Sequence, residues 1–318
     1  MTGYISRMRR LLLVLFGLVL ALSACTDVDE GGGGKPDEKA PAKIAGIPTA
    51  AGTHKQKIDV GTVGHREFLA HVPPQLAKGD WKNGKPEKKL PVVLALHGGL
   101  ANMGKMQQIS GFDKVADEEG FLVVYPDGFM TTWNAGDCCG AAKIGNIKDV
   151  DFLSKVIDKL TDSGLVDKNR VYVTGFSNGA GMAYRMACEA PEKVAAIGVV
   201  EGALVTKCDP GQPVSAMIFH GTADGNVPIG GGGRRDINDD RGYPPVKDAV
   251  DFWRRVAGLP EAKRGMDAQT KNTTCQATGK GDAGVQVTFC RIDGGRHAWP
   301  SGAAATLWGF FKTHPKRP

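Results

Sequence analysis

Three residues far apart in the chain, Ser177, Asp224 and His297, are of the types that together perform nucleophilic acyl transfer. Ser177 is the centre of Gly175-Phe176-Ser177-Asn178-Gly179, with the apolar run 171–174 before it and a helical pattern after it. A sharp strand-to-helix turn would lift the serine hydroxyl to a helix N-terminus, where the dipole and free N–H groups favour negative charge. Glycines two places before and two places after let neighbouring backbone pass where a Cβ would clash. Asp224 closes His220-Gly221-Thr222-Ala223-Asp224 behind a second apolar run, and His297 lies in Gly294-Gly295-Arg296-His297-Ala298-Trp299-Pro300 before the last helical pattern. In such a set the imidazole takes the serine proton and returns it to the leaving alkoxide, while the carboxylate fixes the imidazole tautomer and stabilises the imidazolium. A helix N-cap with a turn glycine would explain Gly175 and Ser177 alone. It would not explain an acid and a histidine that follow in order, each in a loop after a strand-like run.

Acyl transfer also needs donors for the oxyanion. The backbone N–H of Asn178 is the first candidate, because it follows the nucleophile at the helix start. The second belongs in His97-Gly98-Gly99-Leu100, after the apolar run 91–96, and the choice between Gly99 and Leu100 stays open. Each such donor typically contributes about 3 kcal/mol to the transition state.

The elements that must position these groups follow from hydrophobic patterning. Strands are predicted over 66–72, 91–96, 121–125, 170–174, 194–199, 214–220 and 285–292, several of them apolar throughout, as buried parallel strands are. Helices are predicted over 106–119, 149–163, 177–189, 245–257 and 302–314; Phe152, Val156, Ile157 and Leu160 form one stripe in the second, while Trp253 and Trp308 fall on core-facing stripes. Repeated strand–helix alternation predicts an α/β fold, a mostly parallel central sheet with helices on both faces. The chain order Ser, Asp, His is that of the α/β-hydrolases.

The N-terminal part reads as an address. Arg7, Arg9 and Arg10 precede the apolar run 11–22, too short to span a bilayer comfortably. The run ends Leu22-Ser23-Ala24-Cys25, which resembles the lipobox of bacterial lipoproteins. That resemblance implies cleavage after residue 24 and acyl chains on Cys25, each buried CH₂ contributing roughly 0.8 kcal/mol to anchoring. Gly31-Gly32-Gly33-Gly34 and the Ala, Pro and Lys residues behind it are a flexible composition. The expected organisation is therefore a signal peptide over 1–24, a lipid-anchored tether over 25–55 and one catalytic domain over 56–318. The location expected is extracytoplasmic, at the membrane. The formal charge of +6 drops by the three arginines of the signal segment, too mild a balance to suggest nucleic acid. A monomer is expected.

Six cysteines remain beyond Cys25, an even number that suits an oxidising compartment. Cys275 and Cys290 flank a glycine-rich turn over 279–284, so antiparallel strands would set them opposite each other. A bond between the neighbours Cys138 and Cys139 is disfavoured by the peptide between them, which leaves them to pair with Cys188 and Cys208 in one of two ways, pinning one wall of the cleft. With no CxxC or HxxxH nearby, no metal is expected there, and the chemistry calls for no cofactor.

His97-Gly98-Gly99, Trp133-Asn134-Ala135-Gly136-Asp137-Cys138-Cys139-Gly140, the segment from Thr174 to Tyr184, His220-Gly221-Thr222-Ala223-Asp224 and His297-Ala298-Trp299-Pro300 together resemble the polyhydroxybutyrate depolymerase and feruloyl esterase family of secreted serine esterases. The resemblance runs over roughly 60–315. It implies the same triad, an ester substrate of polyhydroxyalkanoate, feruloyl or acetyl type that could be polymeric, and the 133–140 segment beside the active site. Trp133, Asn134, Asp137 and Trp299 then become candidates for substrate contact, with Trp133 and Trp299 as plates for a feruloyl ring or a sugar. Asp137 stands where the family commonly has glycine. Two other functions share the constellation: acyl transfer to a sugar, as in mycolyltransferases, and a non-catalytic surface lipoprotein of the same fold.

Overall fold

A computed structural model of the chain describes residues 39–61, 64–236, 239–260, 263–267, 272–281 and 284–317. The expected signal peptide and residues 25–38 of the expected tether lie outside the described residues. No helix among the described residues is long and apolar enough to cross a membrane.

Strands β1 (Gly52–Asp59), β2 (His65–Val72), β3 (Leu90–Leu96), β4 (Leu122–Pro126), β5 (Val166–Phe176), β6 (Ala196–Val200), β7 (Ser215–Gly221), β8 (Lys263–Asp267), β9 (Thr273–Ala277) and β10 (Val287–Ile292) form one ten-stranded sheet. Its spatial order is β8-β9-β10-β7-β6-β5-β3-β4-β2-β1. From β4 through β3, β5, β6 and β7 to β10 every pairing is parallel, and the flanking strands run antiparallel. The protein thus has the α/β-hydrolase architecture expected from the order of its elements.

The central strands are apolar throughout because both faces are covered. In β3, Val92, Leu94 and Leu96 pack into one core and Val93 and Ala95 into the other, the period of two that a pleated strand imposes. The first core receives helices α3 (Asp149–Asp162), α4 (Asn178–Glu189) and α5 (Val246–Val256). The second receives α1 (Met103–Ser110), α2 (Phe112–Glu119) and α6 (Ala303–Phe311). Phe121 stacks on Trp308 and Tyr172 on Phe311 there, and Trp253 is buried in the first core; each fully buried large side chain contributes roughly 1.5–3 kcal/mol.

Three expectations are corrected. The single helix over 106–119 is two, because Gly111 adopts the left-handed conformation (φ 74°) between α1 and α2 and turns the chain between them. The folded part begins before residue 56: Ile47 is fully buried and β1 pairs along its length with β2. Strand β1 lacks the apolar alternation that marks strands because it is an edge; its Lys55 and Lys57 pair with Glu67 at 2.6 and 3.4 Å, and edge lysines discourage further strand addition.

The third correction concerns the cysteines. Cys275 and Cys290 sit opposite each other in the antiparallel β9/β10 ladder and are bonded, as the flanked turn predicts. Cys188, near the end of α4, lies with its Cα 5.0 Å from that of Cys208 in the loop after β6, and these two are bonded to each other. Cys138 and Cys139 are bonded as neighbours across a cis peptide. The expected tie from the 133–140 segment to α4 is therefore absent; the partner for Cys188 comes from the loop that passes the end of its own helix.

The Cys188–Cys208 bond closes a separation of 20 residues, and loop-closure entropy puts its contribution at about 3 kcal/mol. Replacing both cysteines by alanine should lower the unfolding free energy by about that amount in urea. A non-reduced peptide digest should link Cys188 to Cys208; a peptide joining Cys188 to Cys138 or Cys139 would contradict the pairing.

Candidate active site

The turn from β5 into α4 brings the backbone of Ser177 to φ 56°, ψ −117°, a conformation that costs a residue with a side chain of order 1–3 kcal/mol. The Ser177 N–H donates to the Val200 carbonyl at 2.9 Å, tying the turn to the end of β6. A Cβ at Gly175 would run into the Gly179 carbonyl, and a Cβ at Gly179 into the Leu96 and His97 carbonyls at the end of β3. The two glycines are therefore required by contact as well as by conformation.

The turn carries Ser177 to His297 and Asp224. Ser177 Oγ lies 2.9 Å from His297 Nε2, and His297 Nδ1 lies 2.7 Å from Asp224 Oδ2. Asp224 Oδ1 accepts the N–H groups of Asn226 and Val227 at 2.8 and 2.9 Å. Burial alone would raise the Asp224 carboxyl, but hydrogen bonds from His297, Val227 and Glu201 outweigh it and hold the group at about 2. With Asp224 ionised, the network puts the imidazole proton on Nδ1 and leaves Nε2 to accept the serine proton.

Of the two candidates for the second oxyanion donor, Leu100 is excluded: its N–H is taken by the Thr131 carbonyl at 2.9 Å. The N–H of Gly99 has no acceptor among the described residues, and Gly99 lines the same cavity as Ser177 and Asn178. His97 holds this loop. It is fully buried, its Nδ1 donates to the Gly98 carbonyl at 2.8 Å and its Nε2 accepts the Gly128 N–H at 2.8 Å. Burial keeps the ring neutral by lowering its pKa, as that donor-and-acceptor role requires.

The substrate-contact candidates are distributed differently. Trp133 is fully buried beneath the oxyanion loop, its indole N–H on the His97 carbonyl at 2.9 Å. Its backbone N–H and C=O are both taken by the Asn178 side chain, at 2.7 and 2.9 Å. Trp133 is thus a support and not a plate in the cleft. Asn134 is buried too, its amide on the Ile147 carbonyl at 3.1 Å. Asp137 points outward and pairs with Arg241 and Arg235 at 3.4 and 3.7 Å. Trp299 donates to the Ser110 carbonyl at 3.1 Å and packs edge-on against Phe112, on the rim outside the cavity. None of the four lines the cavity that opens on Ser177.

That cavity has a volume of about 300 Å³. Ala135, Ala203, Val205 and Val227 give it a small apolar wall, and Cys138 and Cys139 continue it. Arg235 and Tyr243 line it as well, Tyr243 packed against that wall. They come from the long loop after β7, whose polar composition gives no sign of a role in the site. Its hydrogen bonds do: Tyr243 Oη donates to the Arg235 carbonyl at 2.9 Å, the Gly140 N–H to Asp236 at 2.9 Å, and Lys143 pairs with Asp239 at 3.0 Å. The last two contacts latch Gly140 and Lys143 to Asp236 and Asp239.

Two further features were not legible from motifs. Arg66 and Asp149 form a buried ion pair at 2.9 Å. Asp149 also accepts the Asn134 N–H at 2.8 Å, and Arg66 donates to the Asp127 carbonyl at 2.7 Å. The pair therefore fastens the loop after β4 at two points, Asp127 and Asn134, to β2 and α3. The other feature is Glu201, buried at the end of β6 with its carboxyl beside Asp224. An acid directly after Val199-Val200 is a signal the sequence does contain.

The profile of the esterase PHB depolymerase family matches residues 81–246, more than half of the 318 residues. The chain belongs to the esterase PHB depolymerase family. The family match contains Ser177 and Asp224 and ends before His297. NocK of Nocardia uniformis subsp. tsuyamanensis is 30% identical over 230 residues, covering 67% of this chain and 66% of its own. Feruloyl esterase B of Piromyces equi is 28% identical over 242 residues, covering 71% of this chain and 42% of its own. The chain thus spans less than two thirds of the length of these curated relatives. Among solved structures, an acetyl xylan esterase from Aspergillus awamori superposes with a TM-score of 0.56 at 18% identity, covering 81% of this chain and 99% of that one, which shows a shared fold.

Removing one partner of a buried ion pair typically costs 3–5 kcal/mol. Asp149→Asn would turn an amide N–H toward the Arg66 guanidinium or the Asn134 N–H, so its unfolding free energy in urea should fall by about 3 kcal/mol. A loss under about 1 kcal/mol would show that the pair does not hold this loop.

Proposed function

We propose that this member of the family is a serine hydrolase of carboxylic esters that works through an acyl-enzyme on Ser177. The observation that supports the reading most is the continuous relay from Asp224 Oδ2 through His297 to Ser177 Oγ, at 2.7 and 2.9 Å, opening on a cavity that Gly99 and Asn178 also line. As Ser177 Oγ attacks the ester carbonyl, its proton passes to His297 Nε2. The oxygen that gains charge faces the N–H groups of Gly99 and Asn178. Collapse of the tetrahedral intermediate expels the alcohol with the proton from His297. Water, deprotonated by the same nitrogen, then attacks the acyl-enzyme and releases the acid.

The small apolar wall of Ala135, Ala203, Val205 and Val227 favours short acyl groups. Feruloyl and acetyl xylan esters are what the names of the relatives and neighbours indicate, and hydroxybutyrate esters are what the family name indicates; we place this chain's substrate among these classes. With p-nitrophenyl esters of graded length, kcat/KM should be highest for acetate to butyrate and drop by about tenfold or more for decanoate. Methyl ferulate, acetylated xylan and hydroxybutyrate oligomers then discriminate among the classes. Turnover that rises steadily with acyl length would contradict the role given to the apolar wall.

We propose further that Cys25 carries a lipid anchor outside the cytoplasm, a reading supported by Leu22-Ser23-Ala24-Cys25 behind a basic and apolar segment. Cys25→Ser should abolish incorporation of radioactive palmitate and release the protein from membranes. Membrane retention of that variant after a salt wash would count against the anchor.

A further inference from the structure

Asp224 is backed by a second carboxyl that acyl transfer does not use. Glu201 follows β6 in the left-handed backbone region (φ 50°) and is fully buried. Both its oxygens lie 3.0 Å from the Gly221 N–H, and its carboxyl lies within 4.8 Å of that of Asp224. The closest ligand atoms of Glu201, Asp224 and His297 all fall within 4.8 Å of one another.

Two buried carboxyl groups this close need a proton between them, or a cation beside them. Among the described residues no lysine or arginine pairs with Glu201. The nearest titratable groups from the surrounding elements are Asp224 in the loop after β7, His220 in β7, and His297 beyond Asp224. His220 cannot supply the charge: its Nε2 is 3.6 Å from Glu201 but donates to the Val227 carbonyl at 2.7 Å, and burial lowers its pKa. Asp224 already accepts N–H groups from Asn226, Val227 and His297, which favour its ionised form. The shared proton therefore belongs to Glu201.

We infer that Glu201 is a positioning residue, a buried carboxylic acid whose O–H donates to Asp224 and holds that carboxylate in line with His297 Nδ1. This inference rests on the triad reading given above. Burial, reinforced by the charge of Asp224 and opposed by the Gly221 N–H, pushes the Glu201 carboxyl up to about 9, so the donor is present at neutral pH. As pH rises through that value the O–H is lost and two carboxylates meet. The orientation of Asp224 is then lost with it, and kcat falls on the alkaline side.

The test is the pH dependence of kcat for the whole protein, Glu201→Gln and Glu201→Ala, with p-nitrophenyl acetate and spontaneous hydrolysis subtracted. Glutamine keeps both hydrogen bonds, its amide N–H toward Asp224 and its carbonyl toward Gly221, and it does not titrate. The unaltered protein should lose kcat above about pH 9, approaching tenfold per pH unit. Glu201→Gln should stay within about threefold at pH 7.5 and lack the alkaline loss, whereas Glu201→Ala should lose about tenfold or more in kcat with KM little changed. An alkaline limb in Glu201→Gln identical to that of the unaltered protein overturns the inference, and this comparison stands even where the alanine variant does not fold. Ser177→Ala separates the two readings: activity surviving in it defeats the triad itself, while its inactivity beside an unmoved Glu201→Gln profile defeats only the role of Glu201.

Discussion

The site depends on one close contact, that of Gly179 at the start of α4 against the carbonyls of Leu96 and His97 at the end of β3. No side chain fits there, and none fits between Gly175 and the Gly179 carbonyl. Because the backbones touch, the strand that leads into Ser177 and the strand that leads into the 97–100 loop are fixed relative to each other without intervening side-chain freedom. The strained conformation of Ser177 is sustained by the same contact and by its N–H bond to Val200. Strain of this kind persists only where the surroundings over-determine it, and here three adjacent parallel strands do so.

Around that contact, polar groups hold the loops in an order that reads outward from the nucleophile. Asn178, whose backbone N–H is the proposed first oxyanion donor, uses its side chain to grip Trp133. Trp133 in turn supports His97, whose ring bonds fix Gly98 and Gly128. The buried Arg66–Asp149 pair closes the chain through Asn134 and Asp127. Each of these groups is buried and satisfied, the condition under which a polar network specifies one arrangement. For the proposed acyl transfer such preorganisation matters, because donors already aimed at an oxyanion need no rearrangement as charge develops.

Much of this was legible in the residues. Gly175, Ser177, Asp224 and His297 declare themselves because backbone crowding and proton transfer leave little choice of residue type, and the buried parallel strands declare themselves because both faces are apolar. What was not legible depends on long-range placement. Trp133 and Trp299 look like cleft aromatics until their indole N–H groups are seen on the His97 and Ser110 carbonyls. The loop over 225–243 looks like a solvent-exposed connection, yet its ion pairs with 137–143 build a wall. Strand β1 is invisible to apolar periodicity because it is an edge, and the Cys188–Cys208 pairing follows from where α4 ends, which no spacing rule contains. Glu201 was in plain view after two valines, but its meaning rests on the approach of the loop carrying Asp224.

The central claim is that Ser177 is the activated nucleophile. Mass spectrometry of the protein after brief exposure to a fluorophosphonate tests it most directly. A single adduct per chain, mapped to the peptide containing Ser177 and absent from a folded Ser177→Ala variant, is the predicted result. Stoichiometric labelling of that variant, or an adduct on a different residue of the native protein, would contradict it.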